Sequence, residues 1–211
     1  MKATFISMAV LAAVSAVSVP AHAATPGQHT EAANMEVFGE ARAPIGYVQF
    51  CAQFPSECAA AGRGRTYMGL TQARWAELDA INRQINATVT PVTDMELYGR
   101  EELWTYPNRY GDCEDYALLK RHMLIRRGWA PESLLMTVVW DENNEGHAVL
   151  TVTTSAGDFV LDNKRDDIRR WQATGYTFEK RQSALGRGRW VWLRGDRPSA
   201  MIGVGSTQSQ N

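Results

Sequence analysis

Apolar residues in the middle of the chain recur at the spacing of an α-helix. After Thr71, the residues Trp75, Leu78, Ile81 and Ile85 lie three or four positions apart, which places them on one face of a helix. Thr71 is a favourable N-cap residue, because its hydroxyl can accept a hydrogen bond from a free backbone N–H group of the first turn. The pattern therefore predicts a helix that begins at Thr71.

A second helix is predicted over residues 115–127, where Ala117 and Leu124 belong to the apolar side and Gly128 follows as a C-cap. Residues 88–107, between the two helices, have no clear period and contain several turn-prone positions. Structureless connections of this length are uncommon unless they serve a function. We therefore expect a long functional loop there.

Beyond the second helix, the pattern changes to that of β-strands. Segments rich in Val, Thr and Leu predict strands at residues 134–140, 147–154 and 158–161, and a last strand is predicted at 188–193. Residues 166–171 are predicted to be helical or irregular. Helices followed by an antiparallel sheet indicate the α+β fold class.

The two ends of the chain differ from its middle in composition. Residues 1–23 combine Lys2, an apolar stretch and a small-residue cleavage pattern at residues 21–23, which is typical of a secretory signal peptide. Residues 24–44 are predicted to form a flexible lead-in, residues 45–197 the folded domain, and residues 198–211 a flexible tail. The expected location is the bacterial periplasm, with no membrane span in the mature chain.

Composition and cysteine content narrow the function. The chain has 211 residues, with Lys+Arg 22 against Asp+Glu 23, and this balance lacks the basic excess of nucleic-acid-binding proteins. It has three cysteines. In an oxidising compartment, Cys51 and Cys58 are expected to form a short-range disulfide, although two separate thiols remain an alternative. That pairing leaves Cys113 free.

Cys113 lies where a loop becomes the second predicted helix. A thiol there is close to the positive end of the helix dipole, which favours the nucleophilic thiolate. A thiol nucleophile also needs a base, and the base needs a group that orients it. His147 begins one predicted strand and Asp162 ends the next, so these two residues can supply both roles.

The register of the predicted hairpin decides whether the two residues meet. With a two-residue turn at 155–156, Val149 lies opposite Asp162, and His147 shares a face with Asp162 one diagonal step away. A slip of one residue would place them on opposite faces. The sequence therefore permits the triad without enforcing it. An inert buried thiol at Cys113 and a structural histidine at His147 remain alternatives.

Three sequence blocks resemble the bacterial transglutaminase-like cysteine peptidases, the family of the periplasmic adhesin-releasing proteases. They are Gly-Asp-Cys-Glu-Asp-Tyr-Ala at 111–117, Gly-His-Ala-Val-Leu-Thr-Val at 146–152 and Val-Leu-Asp-Asn at 160–163. The likeness extends over residues 45–194. It implies a papain/transglutaminase-like α+β fold, in which N-terminal helices pack on a small antiparallel sheet.

The resemblance also implies roles for individual residues. Cys113 is then the nucleophile, His147 the general base and acid, and Asp162 the residue that orients the imidazole. The backbone N–H of Cys113 is a natural oxyanion donor, because amides in the first turn of a helix have no intrahelical partner. The indole of Trp104 or Trp75, or an asparagine side chain, is a candidate second donor.

The acids around Cys113 indicate a metal site. Asp112, Glu114 and Asp115 flank the thiol, and carboxylates in such a group suit a hard cation such as Ca²⁺. The resemblance implies the same ion for Asp112 and Glu114, and less directly for Asp115. Acids in a first helical turn that bind no metal remain the simpler alternative. A zinc site formed by the triad residues is disfavoured.

The sequence and the resemblance together predict a periplasmic cysteine endopeptidase that acts through a thioester intermediate and depends on calcium. Its expected partners are a polypeptide substrate, for which a surface adhesin is one candidate, and an inner-membrane regulator. A transglutaminase-type acyl transferase and a non-catalytic, calcium-stabilised binding module are the alternatives.

Overall fold

The computed structural model describes residues 33–58 and 66–193. The predicted signal peptide and the predicted tail lie outside these residues. Within the described part of the chain, no helix is long and apolar enough to cross a membrane.

The helices lie mainly in the first part of the described chain. They are α1 (Ile45–Gln53), α2 (Pro55–Cys58), α3 (Gln72–Thr88), α4 (Asp94–Tyr98) and α5 (Cys113–Arg126), with 3₁₀ turns at Pro131–Ser133 and Trp171–Ala173. Helix α3 begins as predicted, because the Thr71 hydroxyl accepts a hydrogen bond from the Arg74 N–H at 3.2 Å. Helix α5 ends before Gly128, whose φ of 83° suits a residue without Cβ.

The strands are β1 (Val37–Ala41), β2 (Thr90–Pro91), β3 (Tyr110–Gly111), β4 (Leu134–Trp140), β5 (Gly146–Thr154), β6 (Gly157–Asp162), β7 (Arg165–Arg170), β8 (Thr177–Ser183) and β9 (Gly186–Leu193). In the described chain, seven of them form one sheet in the order β1-β9-β8-β4-β5-β6-β7, and every pair is antiparallel. Strands β2 and β3 form a separate parallel pair. The α+β class is confirmed.

The main core lies between helices α3 and α5 and one face of the sheet. Its fully buried members include Leu78 and Ile81 from α3, Leu124 from α5, and Leu150 and Leu161 from the sheet. Burying aliphatic side chains of this size contributes about 1.5–3 kcal/mol each. This packing fixes α5, and with it Cys113, against the strands that carry His147 and Asp162.

The hairpin of β5 and β6 has the predicted register. Thr154 pairs with Gly157 and Leu150 with Leu161, so two residues form the turn. The pairing of Cys51 with Cys58 is also confirmed, since the two form a disulfide that links α1 to α2.

Three local predictions differ from the structure. Residues 166–171, predicted to be helical or irregular, lie mostly in strand β7, where pairing with β6 overrides their weak local pattern. The predicted loop at residues 88–107 contains β2 and the short helix α4. Strand β1 falls inside the predicted flexible lead-in, because its backbone pairs with the edge of β9.

Candidate active site

The loop before α5 places Cys113 at the first position of that helix. Asp112 is the N-cap residue in an extended conformation, and its carboxylate accepts a hydrogen bond from the Asp94 N–H at 3.2 Å. Gly111 is required just before it, because a Cβ there would lie 2.7 Å from the Asp115 carboxylate. The local sequence therefore directs the thiol to the helix N-terminus, as predicted.

The sheet brings His147 and Asp162 together. The His147 Nε2 and Asp162 Oδ1 atoms are 2.9 Å apart, and both side chains are buried. Asp162 also accepts hydrogen bonds from the Tyr176 hydroxyl at 2.6 Å and from the Lys164 N–H at 3.0 Å. Burial acts to raise the pKa of Asp162, but His147 and the Tyr176 hydroxyl outweigh it and hold that pKa at about 2.

The Cys113 thiol faces the same end of β5. Its Sγ accepts a hydrogen bond from the N–H of Ala148, the residue after His147, at 3.3 Å. The thiol donates to Glu114 Oε2 at 3.2 Å. Burial, followed by the negative charge of Glu114, raises the pKa of Cys113 well above its usual value. The thiol therefore needs both a base and relief from the neighbouring charge to become a thiolate.

Cys113 and His147 line a cleft of about 690 Å³ that Trp104, Val138 and Ala148 also line. Trp104 is buried, and a Cβ at Gly46 would collide with its indole ring. Trp75, the other indole considered as an oxyanion donor, packs edge-on against Phe159 and does not line this cleft. Of the two indoles considered as oxyanion donors, Trp104 is therefore the one that lines the cleft together with Cys113.

Three carboxylates gather beside Cys113. Oxygen atoms of Asp94, Asp112 and Glu114 lie within 4.8 Å of one another. Asp94 Oδ1 and Asp112 Oδ1 are buried and have no hydrogen-bond partner among the described residues. Burial and mutual repulsion raise the pKa of Asp94 and of Glu114, the latter to about 9, and burial raises the pKa of Asp112. A dense, unsatisfied set of oxygen ligands of this kind fits Ca²⁺.

The structure brings two of the three predicted metal ligands into this group and leaves out the third. Asp115 is not part of the group: its Oδ1 accepts a hydrogen bond from the Thr105 N–H at 2.9 Å, while its Oδ2 is buried without a hydrogen-bond partner among the described residues. Asp94 takes its place. The contact with Thr105 fixes the loop that carries Trp104, so Asp115 shapes the cleft.

Asp94 matches the family pattern in the sequence, but sequence reasoning did not place it among the metal ligands, and it did not place Tyr176 beside Asp162. Asp94 had a local signal, because it is the first residue of a helix whose capping box is formed by Thr93 and Glu96. That signal explains the helix but not the carboxylate group, which depends on the approach of α4 to the start of α5. Tyr176 had no signal, since it lies in a connection between strands.

A free thiol at a helix N-terminus, beside an imidazole–carboxylate pair on adjacent antiparallel strands, is the arrangement of papain-like thiol hydrolases. The chain belongs to the bacterial transglutaminase-like cysteine proteinases (BTLCP), whose family model matches residues 37–198. It is therefore a cysteine peptidase, and its substrate is a polypeptide.

Among solved structures, the chain is similar to calcium-bound LapG of Legionella pneumophila, with 22% identity, a TM-score of 0.49, and coverage of 62% of this chain and 75% of that one. EGTA-treated LapG from the same organism gives 24% identity, a TM-score of 0.49, and coverage of 62% and 74%. The comparison with curated proteins finds no match.

Proposed function

We propose that the protein is a periplasmic, calcium-dependent cysteine endopeptidase that uses Cys113, His147 and Asp162 as its catalytic triad. The observation that carries the proposal is the His147–Asp162 contact of 2.9 Å beside the Cys113 thiol. Because Nε2 of His147 is engaged by Asp162, Nδ1 is the nitrogen left to take the thiol proton. Cys113 then attacks the scissile carbonyl and forms a thioester, which water hydrolyses.

The charge that develops on the carbonyl oxygen needs hydrogen-bond donors. The backbone N–H of Cys113 is one, since first-turn amides have no intrahelical acceptor. The Trp104 indole is the proposed second donor, because it lines the cleft together with Cys113. His147 gives its proton to the amine that leaves as the thioester forms, then takes a proton from the attacking water and returns it to the Cys113 thiolate as the acid product leaves.

Calcium is proposed at the group of Asp94, Asp112 and Glu114. The fit rests on the two buried, unpartnered oxygens of Asp94 and Asp112 and on the proximity of the three carboxylates. A bound Ca²⁺ would offset the negative charge beside Cys113. The three side chains come from α4, from the residue before α5 and from α5 itself, so their ligation would also fix the loop that presents the thiol.

Export to the periplasm is supported by the disulfide between Cys51 and Cys58, because such bonds persist in oxidising compartments. It also rests on the predicted signal peptide. A protein of the cell surface is the proposed substrate, with an adhesin as the first candidate. The inner-membrane regulator stays a prediction.

The test is the alkylation of Cys113 by iodoacetamide, followed by mass spectrometry, with and without EGTA. Rapid alkylation near pH 7 that slows both in His147→Ala and in EGTA is the expected result. A rate that equals that of a free thiol, unchanged by the substitution, would overturn the triad. A rate unchanged by EGTA would overturn the calcium dependence.

The reaction itself is tested on outer-membrane and periplasmic proteins incubated with wild-type protein or with Cys113→Ala. New N-termini that occur with the wild type alone are expected, and they provide a peptide substrate. An added primary amine separates hydrolysis from acyl transfer, since a transferase would attach the amine to the acyl product. Full biological effect of the Cys113→Ala protein would instead indicate a binding module.

A further inference from the structure

Helix α3 holds the turn that carries Asp162. The Asn86 Nδ2 atom donates to the backbone oxygen of Asp162 at 3.0 Å and to that of Arg165 at 2.9 Å. It also lies 3.1 Å from Asp166 Oδ1. One side chain therefore bridges the last residue of β6 and the first residue of β7.

We propose that Asn86 is a positioning residue for Asp162. Its two hydrogen bonds fix the backbone of the turn between β6 and β7. The Asp162 carboxylate is thereby held against His147. The inference rests on the proposed function, because it acts through the triad.

The experiment compares Asn86→Ala with Asn82→Ala. Asn82 is the matched control, since it lies one turn earlier on α3 and donates to the backbone oxygens of Arg165 and Asp166 but not to that of Asp162. The probe is the rate of iodoacetamide alkylation of Cys113 at pH 7 with saturating calcium. Asn86→Ala is expected to slow it about 3- to 10-fold, because a misplaced orienting group weakens activation of the thiol. Asn82→Ala should stay within about twofold.

A double-mutant cycle separates positioning from general destabilisation. In an Asp162→Asn background, Asn86→Ala should have no further effect, since the group it positions has lost its role. An equal slowing in both backgrounds, or equal slowing by Asn82→Ala and Asn86→Ala, would overturn the proposal. If Asn86→Ala does not fold, Asn86→Leu, which keeps a side chain of similar shape without the Nδ2 donor, goes through the same cycle with the same expectation.

The His147→Ala protein shows which proposal fails. If His147→Ala alkylates as fast as wild type, the proposed catalytic triad is wrong and the positioning role falls with it. If His147→Ala is slow while Asn86→Ala matches wild type, only the positioning role is wrong.

Discussion

The carboxylate of Asp162 and the group of three carboxylates from Asp94, Asp112 and Glu114 differ in how many of their oxygen atoms accept hydrogen bonds from the protein. Asp162 accepts hydrogen bonds from Tyr176 and Lys164 and pairs with His147, and its pKa is held at about 2. In the group of three, Asp94 and Asp112 each keep a buried oxygen without a partner among the described residues. Burial and repulsion from Asp112 raise the pKa of Glu114 to about 9.

The difference shows which part of the site the chain completes alone. Inside a protein, a fully hydrogen-bonded carboxylate is stable in its charged form, whereas clustered carboxylates without donors repel one another. The His147–Asp162 pair is therefore built by the fold. In the proposed function, a calcium ion balances the group of Asp94, Asp112 and Glu114, so activity and stability are both expected to depend on calcium.

The largest expected effect comes from substituting Asp162, the carboxylate whose hydrogen bonds the protein supplies. Asp162→Asn keeps the shape of the side chain but removes the charge that fixes the tautomer of His147. Hydrolysis of the peptide substrate that the new N-termini identify (the mapped peptide) should fall about 10³- to 10⁴-fold. Steady-state kinetics at neutral pH measure it, and circular dichroism checks that the variant folds. A loss of less than about tenfold would remove Asp162 from the triad.

The second effect comes from adding calcium to the group of Asp94, Asp112 and Glu114, or from removing it. Calcium at about 100 times its dissociation constant should stabilise the wild type by about 2.7 kcal/mol. For a chain of this size, that raises the Tm by about 5–10 °C. Thermal unfolding with calcium or EGTA measures the shift. An unchanged Tm would contradict the site.

Two substitutions locate the ion. Asp94→Asn should abolish most of the calcium-induced rise in Tm and, since it relieves repulsion, should unfold at a higher temperature than wild type in EGTA. Asp115→Asn is the matched control, because Asp115 is equally buried and lies outside the carboxylate group. It should keep the full response to calcium. Equal responses of the two variants would argue against Asp94 as a ligand.

The third effect is the pH dependence of stability that Asp162 brings. Its pKa is about 2 in the folded protein and about 3.9 in an unfolded chain. The unfolded state therefore binds the proton first, and stability is lost as the pH falls from about 4 to about 2. This contribution amounts to about 2–3 kcal/mol. Urea unfolding of wild type and Asp162→Asn at pH 5 and pH 2 measures it, and the gap between them should close at the lower pH.

The parts of the site that could be predicted from the sequence depend on local patterns. The register of the β5–β6 hairpin follows from a two-residue turn and strict alternation, so the diagonal placement of His147 and Asp162 could be predicted. Cys113 at a helix start was equally readable, because Gly111, Asp112 and the following apolar pattern are local signals. Local rules of this kind covered the two main helices and most of the central strands.

The unpredicted parts depend on contacts between segments distant in the sequence. Asp94 joins Asp112 and Glu114 only because α4 folds back onto the start of α5. Tyr176 reaches Asp162 from a connection between strands. Strand β7 forms from a charged segment because β6 offers it an edge. Neither spacing nor periodicity records such contacts.

The smallest expected effect comes from removing one of the hydrogen-bond donors to Asp162. Tyr176→Phe keeps the ring that packs at 5.7 Å against His147 but deletes the hydroxyl that lies 2.6 Å from Asp162. Because His147 and the Lys164 N–H still hold the carboxylate, stability should fall by about 1–2 kcal/mol. Hydrolysis of the mapped peptide should fall by about tenfold.

Tyr116→Phe is the control for this variant. Its hydroxyl is also buried and donates at 2.6 Å, but to the backbone oxygen of Val89 rather than to Asp162. It should lose a similar amount of stability in urea unfolding while keeping its rate of hydrolysis. If both variants lose stability and activity in the same proportion, the Tyr176 hydroxyl serves the fold and not the triad. If Tyr176→Phe alone loses activity, the number of donors on Asp162 sets how well His147 is oriented.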